Sequence, residues 1–318
     1  MDLIDAHVEP YLWARLLGYD LTARHGRGLL GGRFYSQVDV PRMVGAGMTG
    51  AVFSIATNPF RSAAGRRRTV LANVARLRTA LEADPHVAVV DSHGGYVRAR
   101  AAGRLAVFLA LQGGNAVDAD GVAELPEAVT RVTLVHLTRS ALGTPSVPLR
   151  WGRGGLTGTG REYVRALNAR RILVDLAHVD RAGFWDALAV HDRSQPAIVS
   201  HTGVRGVHDH WRNVDDAQIE AIAGLGGVVG IMYHAAFLGG RSMDAVARHV
   251  EHVIAVAGDD HVCLGSDWDG LIVPPPDLRT VSQLPDLLRR LADRGMPGPT
   301  LAKVAGGNYL RVMAAVRP

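Results

Sequence analysis

The chain has 318 residues, of which 47% are apolar. This length fits one large α/β domain, and no apolar run reaches the ~18 residues that a membrane span requires. The formal net charge is only +5, and the arginine run at 66–68 lacks the interleaved aromatic residues of a nucleic-acid site. With the single cysteine Cys263 and no secretion signal at the first residues, a cytoplasmic protein without disulfides is expected.

Apolar strand-like runs alternate with amphipathic helical runs along the chain. The strand candidates are LIDA (3–6), GAVFSIA (50–56), HVAVVD (86–91), AVFLAL (106–111), RVTLVHL (131–137), ILVDLA (172–177), AIVS (197–200), GVVGIM (227–232) and VCLGS (262–266). Helices are predicted at 68–83, 120–129, 184–191, 215–226, 242–258 and 281–295. The Gly-rich segments 10–40 and 139–160 are predicted to be long loops over one face of the domain.

This alternation predicts a parallel sheet in a single domain, 1–318, with the fold of a (β/α)8 TIM-like barrel. The strand runs are apolar throughout, as expected when both faces of a sheet are covered. Nine candidates exceed the eight strands of a closed barrel. Either one strand is peripheral or the barrel is distorted, and the sequence does not identify which strand is the extra one.

Six predicted strands run into a side chain that can bind a metal ion or transfer a proton. These side chains are His7 with Glu9, Gln112, His136, His178, His201 and Asp267. Because parallel strands of a barrel all point their carboxyl ends at one face, the side chains should collect there. The sequence therefore predicts a metal-dependent barrel enzyme. Gln112 is the exception in this set, because a metal cluster would favour a carboxylate at its position.

Spacing gives two of these groups a specific interpretation. His7 and Glu9 are two residues apart, so on a strand they face the same side and can share a divalent ion, although many such pairs are incidental. His178 and His201 follow successive strands. Each could be a core histidine, but their equivalent positions favour zinc ligation.

The remaining candidates leave alternatives open. Asp267 could bind a metal or accept a proton, or it could be a turn aspartate that satisfies backbone N–H groups, a reading that suits Asp269 better. Arg212 could hold a substrate carboxylate through two parallel hydrogen bonds, or it could be a surface salt-bridge residue. Asn213 or Asp215 could cap the helix that follows.

The motifs, taken together, resemble those of the membrane (renal) dipeptidase family, zinc dipeptidases related to the amidohydrolases. The matching segments are DAHVE (5–9), QGGN (112–115), TLVH (133–136), GLT (155–157), VDLAH (174–178), SHT (200–202), HWRNV (210–214), GSDWDG (265–270) and GGNYLRV (306–312). They occur in the family's order and extend from residue 5 almost to the end of the chain.

The resemblance implies a barrel with two zinc ions bridged by a glutamate. His7 and Glu9 would belong to the first ion, and His178 and His201 to the second. Gln112 occupies the bridging position. The family cleaves small dipeptides, and some members hydrolyse β-lactams or process conjugates in natural-product pathways.

The resemblance also implies roles toward the substrate. Asp267 would transfer the proton, while His136 and Arg212 would bind the substrate and the intermediate. Tyr233 is added as a further substrate contact. The expected partner is a small-molecule substrate, without nucleic acid or membrane, and a homodimer is plausible within the family.

Three residues depart from the family pattern inside the site: Glu9 replaces an aspartate, Asn115 a histidine, and Gln112 the bridging glutamate. The third change is the serious one. An amide offers one neutral oxygen, and its NH2 group does not ligate a metal. Two dications that lie close together repel, and a bridging anion offsets this repulsion. One metal, two weakly bound metals or none therefore remain open.

These observations favour a divergent dipeptidase-like hydrolase of a small peptide or amide with a reduced centre, one zinc ion in preference to two. The first alternative is a metal-free barrel enzyme that catalyses a cyclisation, isomerisation or elimination in specialised metabolism. The second is a catalytically inactive small-molecule binder, against which the retained polar residues argue.

Overall fold

The computed structural model of the protein describes residues 1–26, 31, 33–58, 60–117, 120–148 and 154–318. The strands are β1 Ile4–Val8, β2 Gly50–Ala56, β3 Val87–Val89, β4 Leu105–Gln112, β5 Val129–Thr133, β6 Leu173–Asp175, β7 Val199–Thr202, β8 Val229–Ile231 and β9 Val262–Leu264. The helices are α1 Pro10–Leu17, α2 Val40–Gly45, α3 Ala63–Glu82, α4 His93–Ala101, α5 Gly158–Ala169, α6 Arg181–Val190, α7 Asp216–Ala223, α8 Ala235–Leu238, α9 Met243–Ala257, α10 Leu284–Asp293, α11 Gly298–Ala302 and α12 Asn308–Val316.

All strand pairs are parallel, as the alternation predicts. One sheet has the order β1-β2-β4-β5-β6, and a second sheet has the order β7-β8-β9. Single parallel bridges join the two sheets, Asp175 to Ile198 on one side and Val8 to Trp268 on the other. The result is an α/β fold with a parallel half-barrel and a second parallel sheet that continues from both of its edges.

The structure identifies the extra strand. Among the described strands, β3 pairs only with the amino-terminal half of β4, and it lies off the path of the six-stranded sheet. Of the nine predicted strands, the peripheral one is therefore HVAVVD.

Two apolar layers hold the strands in place. The larger layer lies between the strands and the surrounding helices. The smaller one combines side chains from the amino-terminal halves of the strands, such as Ile4, Phe108 and Cys263, with Tyr309 of α12. Because apolar groups fill the amino-terminal end in this way, the polar side chains are left to the carboxyl ends of the strands.

Three local predictions are wrong. The predicted helix 120–129 is a short 3-10 helix, Asp120–Glu124, followed directly by β5; Pro126 has no N–H to continue a helix. Within the predicted loop 10–40, α1 begins with Pro10 at its first turn and ends at Gly18, whose φ is 68°. α5, which the sequence did not predict, begins at Gly158 inside the predicted loop 139–160. The predicted loop 10–40 includes residues 27–30 and 32, and the predicted loop 139–160 includes residues 149–153; these residues lie outside the described part of the chain.

The described part of the first loop is fixed above the carboxyl ends of the strands. Gln37 N donates to Asp269 Oδ1 at 2.9 Å, and Asp269 N donates to Gln37 Oε1 at 2.7 Å. Asp269 thus accepts a backbone N–H, as expected of a turn aspartate. Asp215 caps α7 in a capping box with Gln218. Within the described residues, no helix has the length and apolarity to cross a bilayer.

Candidate active site and metal centre

The carboxyl end of β1 carries the first group of site residues. His7 lies in β1 and is fully buried, and Glu9 precedes α1. His7 Nε2 lies 3.6 Å from Glu9 Oε1 and 3.5 Å from Asp267 Oδ1. None of these three atoms has a hydrogen-bond partner among the described residues. They form a buried polar cluster with capacity for a further ligand.

The second group comes from β4, β6 and β7. His178 Nε2 lies 2.7 Å from His201 Nε2 and 3.4 Å from Gln112 Nε2. The His201 ring also lies against the His7 ring, with 3.8 Å between the centroids. The structure therefore brings all five predicted metal-site residues into one contiguous cluster. It corrects three placements, because His7, Gln112 and His201 lie within β1, β4 and β7 rather than after their ends.

Two of the site residues have backbone conformations that are unfavourable for a side chain. His178 has a φ of 65° and Asp267 a φ of 63°. A left-handed conformation costs a non-glycine residue about 1–2 kcal/mol, and such residues concentrate at functional sites. The turns after β6 and β9 thus hold these two side chains over the carboxyl ends of the strands.

Hydrogen bonds behind His201 set its tautomer. Ser200 Oγ donates to Asp175 Oδ2 at 2.6 Å, so its hydrogen is used there. The same hydroxyl lies 2.8 Å from His201 Nδ1 and must accept from it. His201 Nδ1 therefore carries the hydrogen, and its Nε2 presents a lone pair toward His178. This is the arrangement in which an outer hydrogen bond orients a metal-binding histidine.

Asp175 is an outer partner rather than a metal ligand. A ligand atom of Asp175 lies within 4.8 Å of ligand atoms of His7 and His201, so the three could hold an ion by distance alone. Its Oδ2, however, accepts from Thr133 Oγ1 and Ser200 Oγ, both at 2.6 Å. Its Oδ1 accepts the backbone N–H groups of residues 177 and 200. Its acceptor capacity is already used.

Behind His7 lies a charged residue that the sequence reasoning missed. Arg131 on β5 has no exposed surface, and its Nη2 lies 2.8 Å from His7 Nδ1. Its Nη1 donates to the carbonyl of Ala6, and its Nε lies 3.6 Å from Asp175 Oδ2. An arginine inside the apolar run VTRVTLV is itself a signal, because a buried charge is almost always paired. Ser200 and Asp175 lie within the segments SHT and VDLAH, whose pattern does not by itself indicate a role for either residue.

The substrate-facing candidates lie beside the second group. The His136 ring contacts His178 edge to face, with 4.7 Å between the centroids. Arg212 is 4% exposed; its Nη2 donates to the carbonyl of His201 at 2.9 Å, and its Nε has no partner among the described residues. A cavity of about 440 Å³ opens beside His178 and Arg212, with Trp185 and Trp211 in its wall. This volume suits a small ligand.

Tyr233, the other predicted substrate contact, lies apart from this cavity wall. It is fully buried, its ring packs edge to face on Trp268 at 5.1 Å, and its hydroxyl has no hydrogen-bond partner among the described residues. Burial raises the pKa of that hydroxyl well above its usual value. Its substrate-binding role stays a prediction.

Burial dominates the electrostatics of the site. It raises the pKa of Glu9 to about 8, and burial together with the Glu9 carboxylate raises the pKa of Asp267. Burial, with Arg212 nearby, lowers the pKa of His136 to about 3. Burial lowers the pKa of Arg212 to about 10, which keeps the guanidinium charged at neutral pH. A bound cation would stabilise the ionised form of these two carboxyl groups and would bind neutral imidazoles. The raised carboxyl pKa values and the neutral histidines therefore fit a site that binds a cation.

A family model described as membrane dipeptidase, peptidase family M19, matches residues 1–318. The chain belongs to this family. The resemblance inferred from the motifs is thereby confirmed. The prediction of a metal-dependent hydrolase agrees with the family, whose solved members include a metallopeptidase.

Individual relatives match part of their own length. An uncharacterised dipeptidase of Schizosaccharomyces pombe is 35% identical over 189 residues, which are 58% of this chain and 46% of that protein. An uncharacterised protein of Klebsiella pneumoniae, from the pqqA 5′ region, is 35% identical over 169 residues, 51% of this chain and 61% of that protein. The match thus spans about half to three fifths of the length of these curated relatives.

Solved structures match over the whole chain. The metallopeptidase called dipeptidase AC is 25% identical, with a TM-score of 0.85 over 100% of this chain and 99% of that one. A metallopeptidase of Rhodobacter sphaeroides, solved with a phosphinate mimic of the dipeptide L-Ala-D-Ala, is 24% identical, with a TM-score of 0.85 over 99% of both chains. The latter likeness shows the shared fold.

The residues fit a metal ion on one side of the cluster. His178 and His201 direct their Nε2 atoms toward one another, and the Gln112 amide lies beside them, with its Nε2 3.4 Å from His178 Nε2 and its Oε1 buried without a partner among the described residues. Two imidazoles and an amide oxygen leave one of the four positions of a zinc site for water or substrate.

Proposed function

We propose that this chain is a hydrolase of a small peptide or amide that uses a single zinc ion held by His178, His201 and Gln112, at one end of a closed eight-stranded barrel. The observation that carries the proposal is the hydrogen-bonded chain from Asp175 through Ser200 to His201 Nδ1. It prepares His201 Nε2 as a ligand. His178 Nε2 faces it across 2.7 Å, so the two rings would have to move apart to admit an ion between them.

The bound ion would supply a Lewis acid that polarises a carbonyl and lowers the pKa of water. Asp267 then accepts the proton of the attacking water and passes it to the leaving amine. Its Oδ1 is buried and without a partner among the described residues, so it is available for this transfer. His136, neutral at working pH, donates a hydrogen bond to the oxyanion that develops at the carbonyl.

Arg212 holds the carboxylate of the substrate. Its Nη2 is fixed by the carbonyl of His201, while its Nε faces the site without a partner among the described residues. A guanidinium anchored at one nitrogen keeps other N–H groups in a fixed plane that matches a carboxylate. In a dipeptide the carboxylate is only a few bonds from the scissile carbonyl. Arg212 is suitably placed to bind that carboxylate because it contacts His201, a proposed metal ligand.

The experiment that tests the proposal combines elemental analysis with a panel of dipeptides. Purified protein supplemented with zinc and then passed through a desalting column should retain one zinc per chain and release amino acids from at least one dipeptide. The variant His201→Ala should lose both properties, and His252→Ala, which removes a half-buried histidine on α9 that pairs with Asp216 outside the site, should lose neither. Protein that retains no zinc after supplementation would reject the proposal.

A metal-free enzyme of another reaction class is the second candidate. The Nε2–Nε2 distance of 2.7 Å between His178 and His201 is also that of a direct hydrogen bond between two neutral imidazoles, which favours this candidate. Such a pair could move a proton during a cyclisation, isomerisation or elimination. In the same experiment, zinc-free protein that converts a substrate without release of an amine would support it.

A further inference from the structure

We propose that Arg131 holds His7 as a hydrogen-bond donor at Nε2, so that the half of the site formed by His7 and Glu9 binds no metal ion and the buried guanidinium supplies fixed positive charge in its place. The inference rests on the proposed function in one respect: the catalytic ion is assigned to the other half, formed by His178 and His201.

Arg131 is held firmly in the position from which it acts. Its side chain projects from β5, has no exposed surface, and donates through Nη1 to the carbonyl of Ala6. Its Nη2 lies 2.8 Å from His7 Nδ1, and its Nε lies 3.6 Å from Asp175 Oδ2. A guanidinium has only donors and does not lose its proton in proteins. In the contact with His7, Arg131 is therefore the donor and Nδ1 is the acceptor.

This contact determines which nitrogen of His7 carries the hydrogen. A neutral imidazole has one N–H and one lone pair, so a lone pair used at Nδ1 places the hydrogen on Nε2. A metal ion needs the lone pair of the nitrogen it binds. The hydrogen on His7 Nε2 would face two carboxyl oxygens, Glu9 Oε1 at 3.6 Å and Asp267 Oδ1 at 3.5 Å from the nitrogen. These separations are longer than ordinary hydrogen bonds, and none of the three atoms has a hydrogen-bond partner among the described residues. With the hydrogen on Nε2, however, His7 offers no lone pair there to an ion.

His201 shows the opposite arrangement, although its ring lies against that of His7. Ser200 Oγ accepts from His201 Nδ1, which frees the lone pair of Nε2. The outer hydrogen bonds therefore make His7 Nε2 a hydrogen-bond donor and His201 Nε2 a metal ligand. Charge acts in the same direction, because Gln112 supplies no anion and Arg131 adds a cation on the His7 side, which repels a second dication.

The tautomer of His7 can be measured directly in the wild-type protein. Nitrogen-15 NMR of histidine-labelled protein distinguishes an Nε2–H from an Nδ1–H imidazole, and the His7 signals can be assigned from the spectrum of His7→Gln. We expect the Nε2–H form at neutral pH, with no loss of that signal on addition of zinc, whereas the His201 signals shift. An Nδ1–H form, or a His7 Nε2 that shifts like a ligand when zinc is added, would overturn the inference.

Metal counts in three variants test the same inference by another route. Gln112→Glu restores the anion but leaves Arg131, so it should still bind one zinc per chain. The double variant Gln112→Glu/Arg131→Met, in which an apolar chain of similar length replaces the guanidinium, should bind two. Gln112→Glu/Arg42→Met removes a different buried arginine, which pairs with Asp39 outside the site, and should bind one. Two zinc ions in Gln112→Glu alone, or one in a folded double variant with Arg131→Met, would contradict the role of Arg131.

The two proposals fail in different ways. Wild-type protein that binds no zinc but has His7 in the Nε2–H form refutes the single-zinc hydrolase and leaves the role of Arg131 intact. Wild-type protein that binds one zinc ion and hydrolyses dipeptides but has His7 in the Nδ1–H form does the reverse. If Arg131→Met does not fold, the NMR measurement on the wild-type protein decides alone.

Discussion

Replacement of Ser200 by alanine tests the link between the outer hydrogen bonds and the metal site. The substitution removes the hydroxyl that accepts from His201 Nδ1 and donates to Asp175. Asp175 keeps Thr133 Oγ1 and two backbone N–H groups, so no buried charge is left unpaired. His201 loses only the partner that fixes its tautomer and ring orientation.

The expected loss of zinc affinity is substantial but partial. Removal of an outer partner of a ligating histidine costs about 10–100-fold in metal affinity, which corresponds to about 1.4–2.7 kcal/mol. His178 and Gln112 remain as ligands, so binding should weaken rather than vanish. A competitive titration against a chromophoric zinc chelator measures this directly, and His201→Ala sets the limit for loss of the ligand itself.

The chain offers a matched control in Ser54. It is a buried serine on β2, a strand of the other sheet; it is 1% exposed, and its Oγ has no hydrogen-bond partner among the described residues. Ser54→Ala makes the same chemical change without touching His201 and should leave zinc affinity within about twofold. If Ser200→Ala also stays within about twofold while His201→Ala abolishes binding, Ser200 does not prepare the ligand and the tautomer argument is wrong.

Three further changes have distinct expected outcomes. Asp267→Asn should lower kcat by about 10²–10⁴-fold with the zinc content unchanged, because it removes the proton acceptor and no proposed ligand; loss of zinc would assign Asp267 to the metal instead. Arg212→Lys should raise KM for dipeptides by about tenfold and leave KM for C-terminally amidated dipeptides unchanged, since a lysine cannot make the paired contact with a carboxylate. Burial lowers the pKa of His249 to about 4, so its neutral form stabilises the fold above the unfolded pKa of ~6.5, and up to about 3 kcal/mol is lost as the pH falls from there to about 4. In His249→Asn, the amide oxygen can still accept from Val204 N. Urea unfolding at pH 7.5 and pH 5 should therefore show a loss of unfolding free energy that is about 2 kcal/mol smaller in this variant than in the wild type. An equal loss in both proteins would refute the role of His249.

The sequence was a good guide to which side chains converge, because strand period and parallel topology place strand ends together. His7, Gln112, His178 and Asp267 meet at the carboxyl ends of β1, β4, β6 and β9, where their positions in the apolar runs predict them. β2 begins and ends where the predicted run GAVFSIA (50–56) does. The helix predicted at 120–129 is wrong: the apolar spacing of this segment resembles that of a helix, but Pro126 prevents a helix from continuing through it.

The outer residues were not predictable in the same way. These residues, Ser200, Asp175 and Arg131, act through hydrogen bonds between different strands. The register that pairs Arg131 of β5 with Leu173 of β6 cannot be predicted from the sequence of either strand alone. Arg131 interrupts an apolar run, which marks it as a buried charge. The sequence does not say that its partner is His7, which is 124 residues away in the chain.

Gln112 and Arg131 are connected by charge. In the two-zinc arrangement that the family resemblance implies, the second ion and the bridging carboxylate together contribute a single net positive charge to the pocket. A neutral amide at residue 112 and a guanidinium at residue 131 contribute the same charge without a second ion. In the proposed single-zinc site, the guanidinium would therefore be the cation near Glu9 and Asp267, and it would stabilise the two buried carboxylates without a second ion. On this argument, Arg131→Met alone should be worse tolerated than Gln112→Glu/Arg131→Met in the presence of zinc, because only the double variant can regain the missing charge as a metal ion. Thermal unfolding of both variants with and without zinc measures this, and equal zinc-induced shifts in Tm would show that the two positions are independent.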